Sequence, residues 1–280
     1  MAVLDFILNC VCLLLWLNWR SSRLTSFSRA PGIALVGTLR RAGAATRERW
    51  SSPLVLLAIL LVRPIVYSQL GAAAHWTPQF SLGAFVLHFR SDLFTRMLIF
   101  SLLNFLLFLA VLYFSLLLIA AVNRNVRTTD PWIHLVRAHL GILSRCPAWL
   151  CLLLPFLITF MLWLTLGPLL AAVQIHLPLK SFQQLCAQAA VIGVGGWLLW
   201  QYIIALVLVL HVVSSYVYLG NARWWKFINT TASNLLRPLN WRPLRLGKLD
   251  CTPLLALALL VVIILLAPRG LVILHNRFAA

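Results

Sequence analysis

The residues best equipped for chemistry sit in the stretch N-T-T-A-S-N-L-L-R-P-L-N-W-R-P-L-R-L-G-K-L-D-C-T-P (229–253), where Arg237, Arg242, Arg245 and Lys248 precede Asp250. Guanidinium forks grip a phosphate through two parallel hydrogen bonds, and a nearby carboxylate can orient one of them. That set reads as a lipid-headgroup or partner site with Asp250 as the positioning acid. It also reads as ordinary orientation charge, with Asp250 as the anion that favours a helix start. Two further arginines, Arg63 before Pro64 and Arg269 after Pro268, fall inside apolar runs. A charge at that depth points to function by default. A short span also lets such an arginine reach outward, or lets the helix stop at the proline.

Asn104, Gln201 and His211 are polar residues within apolar runs, and hydrogen bonds between helices commonly account for such side chains. Asp5 is close to the N-terminus and no other Asp or Glu lies within a run, which opposes a proton-coupled path. His211 would need a second histidine to ligate haem. Gly193, Gly195 and Gly196 lack the preceding strand and following Lys-Ser/Thr of a phosphate loop, so close helix packing is the better reading. No H-e-x-x-H, C-x-x-C or Ser/His/Asp pattern stands out among these residues. The expectation is a protein without catalytic residues, metal or cofactor. The six cysteines (Cys10, Cys12, Cys146, Cys151, Cys186 and Cys251) lie mostly in or beside apolar runs, where cysteine behaves as a small hydrophobe.

The elements that must hold these residues follow from composition. The 280 residues are 62% hydrophobic and 10% charged, with mean hydropathy +0.95. A soluble domain is about one-quarter charged, so lipid is the consistent solvent here. Apolar runs near 3–19, 53–70, 97–122, 147–171, 191–219 and 252–274 approach or exceed the roughly 20 residues that cross a bilayer as helix. Backbone groups find no partners in hydrocarbon, so runs of this kind must be helical. The first run lacks a basic region before it and an evident small-residue cleavage site, and reads as a retained span.

Net charge is +18, from 23 Lys+Arg against 5 Asp+Glu. Most of the basic residues fall in 20–50, 123–146 and 220–250, alternating with nearly neutral linkers. Position therefore argues for membrane orientation and anionic lipid, not nucleic acid. The positive-inside rule puts the three basic loops in the cytoplasm and both termini outside. The fold class expected is an all-α polytopic protein of about six spans in three tandem helical hairpins. Those are 1–70, 97–171 and 191–280, with outer linkers at 71–96 and 172–190. Each second helix opens at a proline: Ser52-Pro53, Cys146-Pro147 and Thr252-Pro253. Loop segments 33–41, 133–141 and 233–241 recur in step. Residues 128–143 read as an interfacial amphipathic helix, with Trp132, Leu135, Val136, His139, Leu140 and Leu143 on one stripe and Arg137 off it. Residues 80–97 read similarly, or extend the third span.

The run L-L-R-P followed by D-C-T-P-L-L resembles the signature of the YggT family of small membrane proteins. Arg237, Pro238, Gly247, Asp250 and Pro253 fall on motif positions at the family's own interval, with Thr252 where Ser is usual. Asn240-Trp241 replace paired arginines, and Pro243 is displaced. The likeness covers 216–266 best, the middle unit loosely and the first hardly at all. It implies a bacterial or plastid integral membrane protein, with roles in osmotic tolerance, division-linked membrane organisation or maturation of membrane cytochromes, and no catalytic residues. The expected function is a non-enzymatic scaffold, assembly or lipid-organising factor in the bacterial plasma membrane. Its partners would be anionic lipids and other membrane proteins or further copies of itself. The alternative is a transporter or channel serving ion or osmotic homeostasis, since internal repeats also build carriers.

Overall fold

In a computed structural model of the protein the described residues are 2–27, 42–73, 76–82, 85–91, 93–126, 131–175, 181–217, 222–239, 245–246, 249–250 and 252–279. The chain order is α1 (Ala2–Phe27), α2 (Ala42–Ala73), β1 (Gln79–Leu82), β2 (Phe85–His88), α3 (Phe94–Val122), α4 (Pro131–Leu140), α5 (Ala148–Ala172), α6 (Phe182–Leu198), α7 (Trp200–Tyr216), α8 (Arg223–Leu236), β3 (Arg245–Leu246), β4 (Leu249–Asp250) and α9 (Thr252–Ala279). Helix dominates as expected, and among the described residues six helical stretches are long and apolar enough to cross a membrane. The chain divides into two compact units, residues 1–80 with 88–110, and residues 81–87 with 111–280.

In the first unit α1 packs along α2, around Cys12, Leu56, Leu60 and Phe105. Helix α2 runs unbroken through Pro53 and Pro64. Pro53 therefore lies inside a helix, not at its first turn, and Pro64 ends nothing. Pro64 has no N–H, which deprives the Leu60 carbonyl of its helical partner. Ser101 Oγ on α3 donates to that carbonyl at 3.3 Å. Such re-satisfaction by a neighbouring helix lets proline persist in an apolar span.

Residues 79–82 and 85–88 form two short paired strands in place of the expected amphipathic helix. The reason is legible in the burial: Pro78, Phe80, Leu87 and Phe89 are buried while Gln79, Ser81, Val86 and His88 are exposed. That is the two-residue period of a strand. Phe89 N–H donates to the Pro78 carbonyl at 3.0 Å.

In the second unit α5 and α6 form the tightest pair, and α9 packs on both α6 and α7. Small residues make the α5–α6 seam possible: a Cβ on Gly193 would lie 2.8 Å from the Phe156 ring, and one on Gly196 would lie 2.7 Å from Thr159 Oγ1 and 3.0 Å from the Pro155 carbonyl. Thr159 Oγ1 donates to that Pro155 carbonyl at 2.7 Å. The fifth span begins earlier than the apolar run at 191 implies. Ser181 caps it, its Oγ accepting from Gln184 N–H at 3.2 Å, and the glutamines that follow mask the helix in a hydropathy reading. The stretch Phe182–Ser215 has 34 residues. At 1.5 Å per residue it would extend about 51 Å, against a hydrocarbon core of about 30 Å. It breaks at Leu199, between α6 and α7. The α5 and α9 starts match expectation, with Pro147 capping α5 and Pro253 in the first turn of α9.

The expected amphipathic helix is present as α4 (Pro131–Leu140), but its buried face differs. Ile133, Val136, His139 and Leu140 are buried, whereas Trp132 and Leu135 are exposed. The predicted stripe mixed two faces, one packed on protein and one turned away from it. Gly141 ends α4 at φ 57°, the left-handed closure that favours glycine.

Candidate functional site

Two polar clusters stand out, one in each unit. In the first unit, Arg63 is buried (2% exposed) rather than reaching outward. Its guanidinium donates to Asp5 on α1, forming an ion pair, and to Asn9 Oδ1 at 2.9 Å. It also donates to the Tyr67 hydroxyl at 3.1 and 3.2 Å. Tyr67 Oη donates in turn to Asp5 Oδ1 at 2.6 Å. The second Asp5 oxygen accepts from Asn104 Nδ2 on α3 and from Asn9 Nδ2 at 3.3 Å. Asp5 is thus no bystander near a terminus: it lies within the first candidate span and joins three helices. Rings of Tyr67, Trp76, Phe89 and Phe100 cluster at centroid separations of 5.5–6.2 Å beside it. A buried ion pair holds its place when its other donors and lone pairs are engaged; here each Asp5 oxygen accepts two hydrogen bonds and all three guanidinium nitrogens donate.

In the second unit, Asn123 follows the last turn of α3 and is 1% exposed. Its Nδ2 donates to Thr231 Oγ1 at 2.9 Å, and its Oδ1 accepts from Asn234 Nδ2 at 3.0 Å. Both partners lie on α8. Arg137 on α4 donates to the carbonyls of Arg124 at 3.2 Å and Asn123 at 3.4 Å. Guanidinium capping of this kind suits a helix C-terminus, where carbonyls have no helical partner and the dipole is negative. His211 and Ser214, at the end of α7, both donate to Asn229 Oδ1, at 2.9 and 2.7 Å. Helix α8 is therefore clamped to the ends of α3 and α7. The apolar side of the clamp packs Leu208, Leu236 and Ala256 together. Asn123→Ala should cost about 1–3 kcal/mol, because buried Thr231 and part-buried Asn234 lose a partner. Chemical unfolding of the detergent-solubilised protein measures this, and an unchanged transition would contradict the clamp.

The clamp fixes which way α8 faces. Ile228, Thr231, Ala232 and Leu236 are buried. At 100° per residue, Arg223, Lys226, Thr230, Ser233, Asn234 and Arg237 fall within an arc of about 100° on the other side. A groove of about 820 Å³ runs beside this face, lined by Arg223, Trp225, Lys226, Asn229, Thr230 and Ser233. A second, of about 500 Å³, includes Asn125, Asn234 and Arg237. The rings of Trp224 and Trp225 are stacked 3.8 Å apart at the start of the helix.

The residues expected to form a site are distributed as follows. Arg237 and Pro238 are exposed at the end of α8. Arg245 and Asp250 face one another in register across the β3–β4 ribbon. Thr252 and Pro253 are buried in the first turn of α9. Arg242, Gly247 and Lys248 lie outside the described residues. Arg269 is exposed on α9, so its likeness to Arg63 in sequence does not extend to environment. Asn104 and His211 have partners, as given above, and Gln201 has none among the described residues. Three groups escaped the sequence reading: Asp5 with Asn9 and Tyr67, the Asn123 clamp, and the α8 face at Arg223 and Lys226. The last carried a signal, since 223, 226, 230, 233 and 237 follow helical spacing.

Taken together, the six apolar helices and the polar residues bonded between them define a polytopic helical membrane protein. No family model matches the chain, and neither does a curated protein or a solved structure.

Proposed function

We propose that this protein is a non-enzymatic scaffold, assembly or lipid-organising factor of the bacterial plasma membrane, with its basic segments cytoplasmic and both termini outside. The observation that supports this reading best is how the polar side chains of the spans are engaged. Asp5, Asn9, Arg63, Tyr67 and Asn104 bond to one another, and His211 bonds to Asn229. Polar groups consumed in this way hold helices together. Apart from Arg269 on α9, the exposed charge among the described residues sits on connecting segments, where anionic headgroups attract it. The YggT-like run over 216–266 is consistent with the same role, and the excess of basic residues in alternate loops supports the orientation.

In nanodiscs of mixed zwitterionic and anionic phospholipid, reversal of Arg237, Arg242 and Arg245 to Glu should reduce retained anionic lipid about tenfold, by the per-residue attraction of a basic segment to such lipid. Native mass spectrometry counts the retained lipids, and an unchanged count would contradict the proposal.

A transporter is the second reading. The recurring loop segments and prolines in the sequence favour it, because internal repeats also build carriers; the interruption at Leu199 adds little, its backbone keeping near-helical angles (φ −63°, ψ −21°). Ion or solute flux in proteoliposomes would establish that reading, and membranes that stay tight would remove it.

A further inference from the structure

We infer that the outward face of α8 is a binding site for the phosphate headgroup of an anionic phospholipid, separate from the ribbon and loop that follow it. This inference rests on the lipid-organising reading and gives it a location. Arg223 and Lys226 supply two cations one helical turn apart, both exposed, and neither side chain makes a hydrogen bond or ion pair among the described residues. Thr230 and Ser233 continue the same line with hydroxyls, and both line the groove with the two cations. Arg237 extends the line to the end of the helix.

The groove is built, because its floor is held from behind. Asn229 contributes to it while its Oδ1 is occupied by His211 and Ser214, which leaves the amide nitrogen as its remaining polar group. Thr231, two positions on, is held by Asn123 from the buried side. The two cations, the Ser233 hydroxyl and the Asn229 amide nitrogen thus line one wall, and a phosphate oxygen demands that chemistry. Thr230 Oγ1 donates to the Lys226 carbonyl at 2.8 Å. The lipid source follows from neighbouring chemistry. Stacked Trp224 and Trp225 open the helix, and tryptophan favours the headgroup level. The buried face of α8 packs on Leu208 of α7 and Ala256 of α9, both within candidate spans. An amphipathic helix with a basic face and apolar underside lies in the interface plane.

The test compares three full-length proteins in nanodiscs of phosphatidylcholine with phosphatidylglycerol: wild type, Arg223→Gln/Lys226→Gln, and Arg242→Gln/Arg245→Gln. Matched unfolding transitions confirm folding, and Thr230→Ala/Ser233→Ala serves as a second, uncharged probe of the same groove. The α8 double variant should retain about tenfold less phosphatidylglycerol, and the hydroxyl variant several-fold less, with phosphatidylcholine unchanged. Added inorganic phosphate should displace none of it. Retention unaltered in both α8 variants, or displacement by free phosphate, overturns the site. If the α8 variants match wild type while Arg242→Gln/Arg245→Gln loses lipid, the site is wrong and the lipid-organising reading stands. If wild type shows no preference for phosphatidylglycerol, that reading fails as well.

Discussion

Arg63→Leu is expected to destabilise the protein by about 3–5 kcal/mol, and Asp5→Leu/Arg63→Leu to be no less stable than Arg63→Leu alone. Removing one member of a buried ion pair leaves the other uncompensated, whereas removing both removes the desolvation cost with the attraction. Arg63 reaches Asp5, Asn9 and Tyr67 from α2, and Asp5 also accepts from Asn104 on α3. The single change therefore strands a carboxylate among the neutral donors Tyr67, Asn9 and Asn104. Those donors keep the double variant below wild type, because they lose their acceptor. Unfolding in detergent, followed by tryptophan fluorescence, separates the cases. A double variant whose loss equals the sum of both single losses would contradict the network, since residues in contact do not add.

Gly193→Leu/Gly196→Leu should be the next most damaging change. Each position would force a side chain into occupied space, at the Phe156 ring and at the Pro155 carbonyl. Overpacking costs typically about 1–3 kcal/mol per site, and a backbone carbonyl cannot turn aside as a flexible side chain can. Gly270 provides the control, since a Cβ there would meet nothing within 4 Å. The expected result is loss of the monodisperse peak in size-exclusion chromatography for the double variant and wild-type behaviour for Gly270→Leu. Equal behaviour of the two would show that the α5–α6 seam is loose.

How much of this was legible in the residues depends on the kind of signal. The spans announced themselves through long apolar runs, as did Pro147 and Pro253 as helix openers. Pro53 misled, because a proline that opens two helices suggested that a third helix opened the same way. The fifth span was read short, because Gln183, Gln184 and Gln188 dilute the hydropathy of the first turns of α6. The strands at 79–82 and 85–88 were misread because their aromatic residues also fit a helical period over so short a stretch. Polar partnerships were the least legible. Asp5 and Arg63 are 58 positions apart, and Asn123 and Thr231 are 108 apart. No local pattern encodes such a pairing. Charge offered the one clue in the first case, since Asp5 and Arg63 are opposite charges in adjacent spans. For Asn123 there was none. The α8 face is encoded in the helical spacing of 223, 226, 230, 233 and 237, but these positions share one basic segment with the motif that starts at Leu235, and charge alone does not separate the two.

The orientation of the basic segments is tested most directly by cysteine accessibility. Ala30→Cys, Asp130→Cys and Ala222→Cys, each in a chain whose native cysteines are replaced, would be probed with a membrane-impermeant thiol reagent in right-side-out and inverted vesicles. The account predicts labelling of all three in inverted vesicles and of none in right-side-out vesicles. Any one of the three labelled from the opposite side would contradict it.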